Sequence, residues 1–216
     1  MKYTTAPLLP GMYYHIYNRG NNSENLFLEK RNYPYFLSLY EKHITPVADT
    51  FAHCLLRNHF HFSVRIKTEE EYLAQQSSRI LKTQEDLNPK KFNPPQNFSN
   101  LFNAYAKAIN KAYGRTGSLF EERFGRIPVT NDSYFTTLIF YIHYNPQKHG
   151  FVDDFRDWKW SSYHALIGIE ETTLKRDEVL SMFDGRKGFE KFHQGMMDEK
   201  KLVKLIDEEF DLETQT

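Results

Sequence analysis

Polar and apolar positions alternate residue by residue over HFHFSVRI, residues 59–66. A period of two belongs to a β-strand, in which residues i and i+2 share a face. Phe60, Phe62, Val64 and Ile66 therefore form the core face. His59, His61, Ser63 and Arg65 form the opposite face, which lines a cleft or a second layer. A preceding strand is predicted near residues 50–56, and Arg57-Asn58 is short enough to join the two as a tight hairpin. Residues 12–17 (MYYHIY) are a further β-rich run closed by the turn signal Asn18-Arg19-Gly20, and residues 126–129 are a fourth candidate strand.

Helical spacing marks three longer segments. Tyr35, Phe36, Leu39 and Tyr40 predict a helix within residues 31–45. Phe98, Leu101, Phe102, Tyr105, Ala108, Ile109 and Ala112 predict a second, ended by Gly114. A third opens on the capping types Asn131-Asp132-Ser133 with the stripe Phe135, Leu138, Ile139 and Ile142. Pro146 predicts its end near Asn145. Residues 68–97 are charged and contain Asn93-Pro94-Pro95, so they read as an insertion with room for a short helix. Residues 172–216 read as two short helices around Gly185 and Gly188. Interleaved strands and helices over these distances predict a compact α+β sandwich.

The chain of 216 residues has length for one domain with an appendage. Its formal net charge of zero hides an asymmetry: residues 1–150 carry 18 basic against 12 acidic side chains, and residues 151–216 carry 10 against 16. A basic body with an acidic tail hints at nucleic-acid contact. The single cysteine, Cys54, excludes an internal disulfide and suits the reducing cytosol. No signal-peptide pattern is read at the start, and no apolar run is long enough to span a bilayer, so a cytoplasmic protein is expected.

The candidate chemistry sits on two elements. Two imidazoles on one strand face, His59 and His61, could take two coordination sites of one metal ion. They could equally be a polar pair on a half-exposed strand. With one cysteine a thiolate zinc site is excluded, and neither a metalloprotease helix motif nor a Gly-rich phosphate loop is present. In LIFYIHYNPQKHGFV, Tyr141 and Asn145 are four apart and share a helix face beside the apolar stripe. There a tyrosine can pack its ring and present its hydroxyl, or simply pack.

Five stretches in order carry a likeness to a known family: YHIYNRG (14–20), LLRNHFHFSV (55–64), YGRTGSLFEERF (113–124), YIHYNPQKHGFV (141–152) and WKWSSY (158–163). The chain resembles the REP-associated tyrosine transposases, a branch of the single-tyrosine, His-hydrophobic-His transposases. The resemblance covers most of residues 12–166. It implies a ferredoxin-like antiparallel sheet with helices packed on one side, and a catalytic domain over residues 1–170. Residues 68–97 are then an insertion and residues 171–216 a charged helical extension.

The resemblance also implies an activity. Tyr141 corresponds to the nucleophile, His59 and His61 to the metal-binding pair, and Asn145 to a third ligand. A divalent ion, Mg²⁺ or Mn²⁺, would polarise the scissile phosphate of single-stranded DNA beside hairpin-forming repeats. Attack by Tyr141 would leave a 5′-phosphotyrosine and a free 3′-OH. Arg19, Arg57, Arg115, Arg123 and Arg126 are the expected DNA contacts. Trp158 and Trp160 could stack on bases or pack in the core. Tyr105, Tyr113, Tyr134 and Tyr144 are rival nucleophiles by type alone. A monomer is implied, with a dimer as the alternative because some relatives build the site between subunits. Two competing functions remain: a non-catalytic, domesticated DNA or RNA hairpin-binding regulator, and a metal-dependent hydrolase with a structural tyrosine.

Overall fold

The computed structural model describes residues 6–83 and 91–195, the side chains of residues 79–83 excepted. Four strands, β1 (Tyr13–Arg19), β2 (Ala48–Leu55), β3 (His59–Ile66) and β4 (Gly125–Val129), form one sheet in the order β2-β3-β1-β4. All neighbours are antiparallel. Helix α1 (Asn32–His43) links β1 to β2, and α3 (Pro94–Tyr113) leads back to β4. This strand–helix–strand–strand–helix–strand sequence with β1 and β3 in the centre is the ferredoxin-like topology.

Alternation along β3 decides where the layers go. Phe60, Phe62, Val64 and Ile66 join Tyr14 and Ile16 of β1 in a core shared with Phe36 and Tyr40 of α1 and Phe98, Leu101 and Tyr105 of α3. Complete burial of each such side chain contributes roughly 2 kcal/mol, and a slip of one residue would turn this whole set outward. The opposite face is covered as well. Helix α4 (Asp132–Lys148) packs there through Phe135, Leu138, Ile139 and Ile142 against Phe51, Ala52 and Cys54 of β2. The expectation of helices on one side therefore holds for α1 and α3, while α4 adds a layer on the histidine face.

Two boundaries differ from the pattern-based reading. Helix α3 begins at Pro94 because Asn93 caps it, its side chain accepting from Gln96 N–H, and the two prolines occupy positions whose N–H groups need no helical partner. Helix α4 does not stop at Asn145: it runs through Pro146 to Lys148, and His149 N–H closes the last turn on Asn145 O. A proline so near the C-terminus removes one donor without ending the turn. Gly150, at φ +67°, then supplies the left-handed exit.

The segment expected as an insertion contains a full helix, α2 (Glu69–Thr83), and its residues 84–90 lie outside the described residues. Beyond a short helix, α5 (Tyr163–Ile167), the expected extension forms α6 (Arg176–Ser181) and α7 (Arg186–Gly195). Val179, Phe183 and Phe189 are buried in the same core as α4, so this part is built into the body. Residues 196–216 lie outside the described residues. No described helix is long and apolar enough to cross a membrane.

Candidate active site

Strand register brings three histidines together. His15 of β1 lies opposite Ser63, two pairs along from His61 on the same face, and its Nε2 is 3.0 Å from His61 Nδ1. The rings stack at 5.2 Å, and His59 meets His61 edge-on at 5.1 Å. Tyr17 lies beside both His15 and His61 at 5.1 and 6.1 Å. Its ring occupies the space above Gly125, where a Cβ would lie 2.1 Å from a ring carbon, so β4 needs glycine at that position.

Helix α4 supplies the other half. The Tyr141 ring is 5.6 Å from His61 and 6.1 Å from His15, so the tyrosine meets these two histidines within one chain. One turn on, Asn145 is fully buried; its Nδ2 donates to Tyr141 O at 3.0 Å, and its Oδ1 has no hydrogen-bond donor among the described residues. Lys148 Nζ stands 5.0 Å from the centre of the Tyr141 ring. His149, in the turn that caps α4, packs against His59 at 4.9 Å.

Burial sets the protonation states. Desolvation pulls His59 down to about 3, with His149, Lys148 and Arg19 adding repulsion. Asn145 is the one neighbour that favours the charged form of His59. His15 is lowered to about 3 and His61 well below its ordinary value, both chiefly by desolvation. His149 is lowered to about 4, again by burial first. All four imidazoles are neutral at pH 7, the state in which an imidazole can ligate a metal.

The donor set fits a divalent ion in part. Asn58 Oδ1 accepts from His59 Nδ1 at 2.8 Å, which makes Nε2 the lone-pair nitrogen of His59. His15 can do the same for His61 by accepting from its Nδ1. Asn145 Oδ1 is a buried acceptor without a donor, near His59. Among the described residues no three His, Cys, Asp or Glu side chains gather into a complete ligand set, so an ion here would need an amide oxygen or solvent as well.

The five arginines divide. Arg19 pairs across the sheet with His59 and is held by Glu121, and Arg57 lies two residues before His59 with its guanidinium 6.0 Å from the Phe151 ring centre. Arg126 pairs with Ile16, which puts it on the far face of the sheet, 4.9 Å from the Phe124 ring centre. Arg115 is ion-paired with Glu24, and Arg123 is exposed near Arg126 along a separate cleft. Only Arg19 and Arg57 therefore flank the histidines. Of the rival tyrosines, Tyr105 and Tyr113 lie on α3 across the sheet, where Tyr105 donates to Leu26 O at 2.8 Å and Tyr113 to Asn32.

Comparison with known proteins places the fold. A protein of Haemophilus influenzae named as a REP-associated tyrosine transposase is 29% identical over 125 residues, 56% of this chain and 62% of its own length. The solved structure of a REP-associated tyrosine transposase bound to a REP hairpin superposes with a TM-score of 0.56 at 14% identity, covering 77% of this chain and 86% of that one. The chain resembles the REP-associated tyrosine transposases. The match spans under two thirds of the curated relative. No family model matches the chain. Against the transposase likeness, His15, Tyr17 and His149 are the additions that only the three-dimensional structure supplies.

Proposed function

We propose that the protein nicks and rejoins single-stranded DNA beside hairpin-forming repeats, with Tyr141 as nucleophile. The observation that carries this reading is the meeting of Tyr141 with His61 at 5.6 Å inside one chain. The transposase relative and the hairpin-bound structural neighbour supply the substrate class. The phenol oxygen forms the new bond to phosphorus, the bond from phosphorus to the 3′-oxygen breaks, and the leaving oxygen takes up a proton as a 3′-OH. Because the phosphotyrosine keeps a phosphodiester, a 3′-OH can reverse the step and join strands.

Each side chain has a task in this scheme. His59 and His61 would hold a Mg²⁺ or Mn²⁺ ion, with Asn145 Oδ1 as the third protein donor. When bound, that ion acts as a Lewis acid on the phosphate and fixes it for in-line attack. Asn58 and His15 hold the two imidazoles with Nε2 toward the site. Lys148 places a positive charge beside the tyrosine that must lose its proton. Arg19 and Arg57 contact DNA phosphates at the rim.

Burial favours one competing reading. Tyr141 is only 4% exposed, which suits a structural tyrosine in a non-catalytic hairpin-binding regulator. End-labelled hairpin oligonucleotides separate the two. With Mn²⁺, the catalytic reading expects the label 3′ of the cut to stay with the protein and the 5′ fragment to leave with a free 3′-OH. Binding of every such hairpin without any protein–DNA adduct would establish the regulator instead.

A further inference from the structure

Both tryptophans of the chain border one cleft outside the site described above. Trp158 and Trp160 are half-buried, and with Phe27 and Tyr33 they line a cavity of about 460 Å³, within the size range of small-ligand sites. Trp160 lies parallel on Tyr33 at 4.5 Å and 5°, and Tyr33 lies parallel on Phe27 at 4.4 Å and 12°. Trp158 is fixed by its indole N–H, which donates to Leu55 O at 2.9 Å. The rings form a rigid flat-sided wall, which core packing alone does not require to be half-open.

A run of ring contacts links the wall of the cleft to the histidines. His149 packs on His59 at 4.9 Å, Phe151 follows at 6.4 Å from His149, and Trp158 lies 5.6 Å from Phe151. Arg57 lines the cleft at the Phe151 end and has no carboxylate partner among the described residues. Lys30 and Lys159 add two more cations. Of the two carboxylates present, Glu29 is neutralised by Arg31 at 2.7 Å, which leaves Asp157 as a hydrogen-bond acceptor at the rim. Flat aromatic faces interleaved with cations are the chemistry that holds single-stranded nucleic acid.

We propose that this cleft binds a nucleobase of the single-stranded DNA flanking the scissile phosphate, stacked on the indole wall with an adjacent phosphate on Arg57. The proposal rests on the reading of the histidine site as a DNA-nicking centre. It adds a second anchoring point, which would set how far from the hairpin the strand is cut.

Tryptophan emission tests it directly, because the chain has only these two tryptophans and both lie in the cleft. The full chain is titrated with a hairpin carrying a single-stranded flank and with the same hairpin made blunt, binding being followed in parallel by the anisotropy of a dye on the DNA. The flanked hairpin is expected to quench the emission and the blunt one to bind without quenching. Arg57→Ala, a change at an exposed side chain, is expected to weaken the flanked hairpin about tenfold more than it weakens the blunt one. Binding of the flanked hairpin with unaltered emission, or with equal affinity for Arg57→Ala, overturns the proposal. Failure of the nicking reading looks different: the flank quenches, yet no adduct forms at Tyr141.

Discussion

Two buried histidine clusters lie on either side of helix α4, and they differ in whether their hydrogen bonding closes. In one, His193 Nδ1 donates to Phe189 O at 2.9 Å, which makes His193 Nε2 an acceptor for His143 Nδ1, also at 2.9 Å. His143 Nε2 then accepts from Ser162 Oγ at 2.8 Å, and Ser162 Oγ accepts from His53 N–H at 2.9 Å. Every donor and acceptor has a partner, and each tautomer is dictated by the next. The cluster fastens α7 to α4 and to the edge of β2. In the other, His59 has its Nδ1 engaged by Asn58, and the buried Asn145 Oδ1 beside it lacks a donor. A closed chain of imidazoles is structural; one beside a buried acceptor without a donor suits the metal-holding role proposed for it. Ser162 and His143 would pass for a nucleophile and its base by residue type, but both are completely buried and fully occupied.

The largest effect that would sharpen this contrast comes from removing His59 and His61. His59→Ala with His61→Ala is expected to lower Mn²⁺ affinity and adduct formation at least a hundredfold, in a chain whose folding is checked by thermal melts because His61 is buried against His15. Calorimetric titration checks this, and unchanged Mn²⁺ binding would break the assignment.

The reverse is expected of the closed cluster. His143→Ala strands Ser162 and His193 in the core and leaves a cavity, at a cost of about 3 kcal/mol, or a fall in Tm of roughly 6–12 °C. Mn²⁺ affinity should not change, and thermal melts with a metal titration read both.

A smaller effect is expected at His15. His15→Phe keeps the ring packing but removes the acceptor for His61 Nδ1, and should weaken Mn²⁺ about tenfold. Nitrogen-15 spectra of the metal-free chain should show His61 protonated on Nδ1; an Nε2 proton there would mean that His15 donates and opposes metal binding.

The smallest effect per residue and pH unit is a pH dependence. Burial holds His193 at about 4 and His143 well below its ordinary value, whereas both titrate near 6.5 in the unfolded chain. Below pH 6.5 the unfolded chain binds protons that the fold refuses. Stability is therefore highest above pH 6.5 and falls toward pH 4, by up to roughly 1 kcal/mol per pH unit for each histidine. Urea unfolding across that window should show the slope, and His193→Gln should reduce it by one histidine's share, because His15, His59, His61 and His149 are lowered in the same way.

How much of this was legible in the sequence depends on the range of the contacts. The phase of β3 is local, and the alternation of Phe60, Phe62, Val64 and Ile66 with the histidines places both faces correctly. The stripe of α4 is local too, so Tyr141 and Asn145 appear one turn apart. His15 was hidden because residues 13–17 are apolar or aromatic on both faces, so alternation there has no readable phase, and its pairing with Ser63 is a matter of register. His149 was hidden by the expected stop before Pro146. The His143–His193 pair spans 50 residues and could be found only once α7 was placed against α4. Arg115, Arg123 and Arg126 cluster in sequence around a Gly loop, but strand β4 turns Arg126 to the face away from the histidines.

The most direct measurement is the covalent adduct itself. Wild-type protein and Tyr141→Phe are incubated with Mn²⁺ and a flanked hairpin, and any protein–DNA link is mapped by mass spectrometry of the digested chain. The account predicts a nucleotide on Tyr141 in the wild type and none anywhere in Tyr141→Phe. An adduct that persists in Tyr141→Phe, or that maps to another tyrosine, would contradict it.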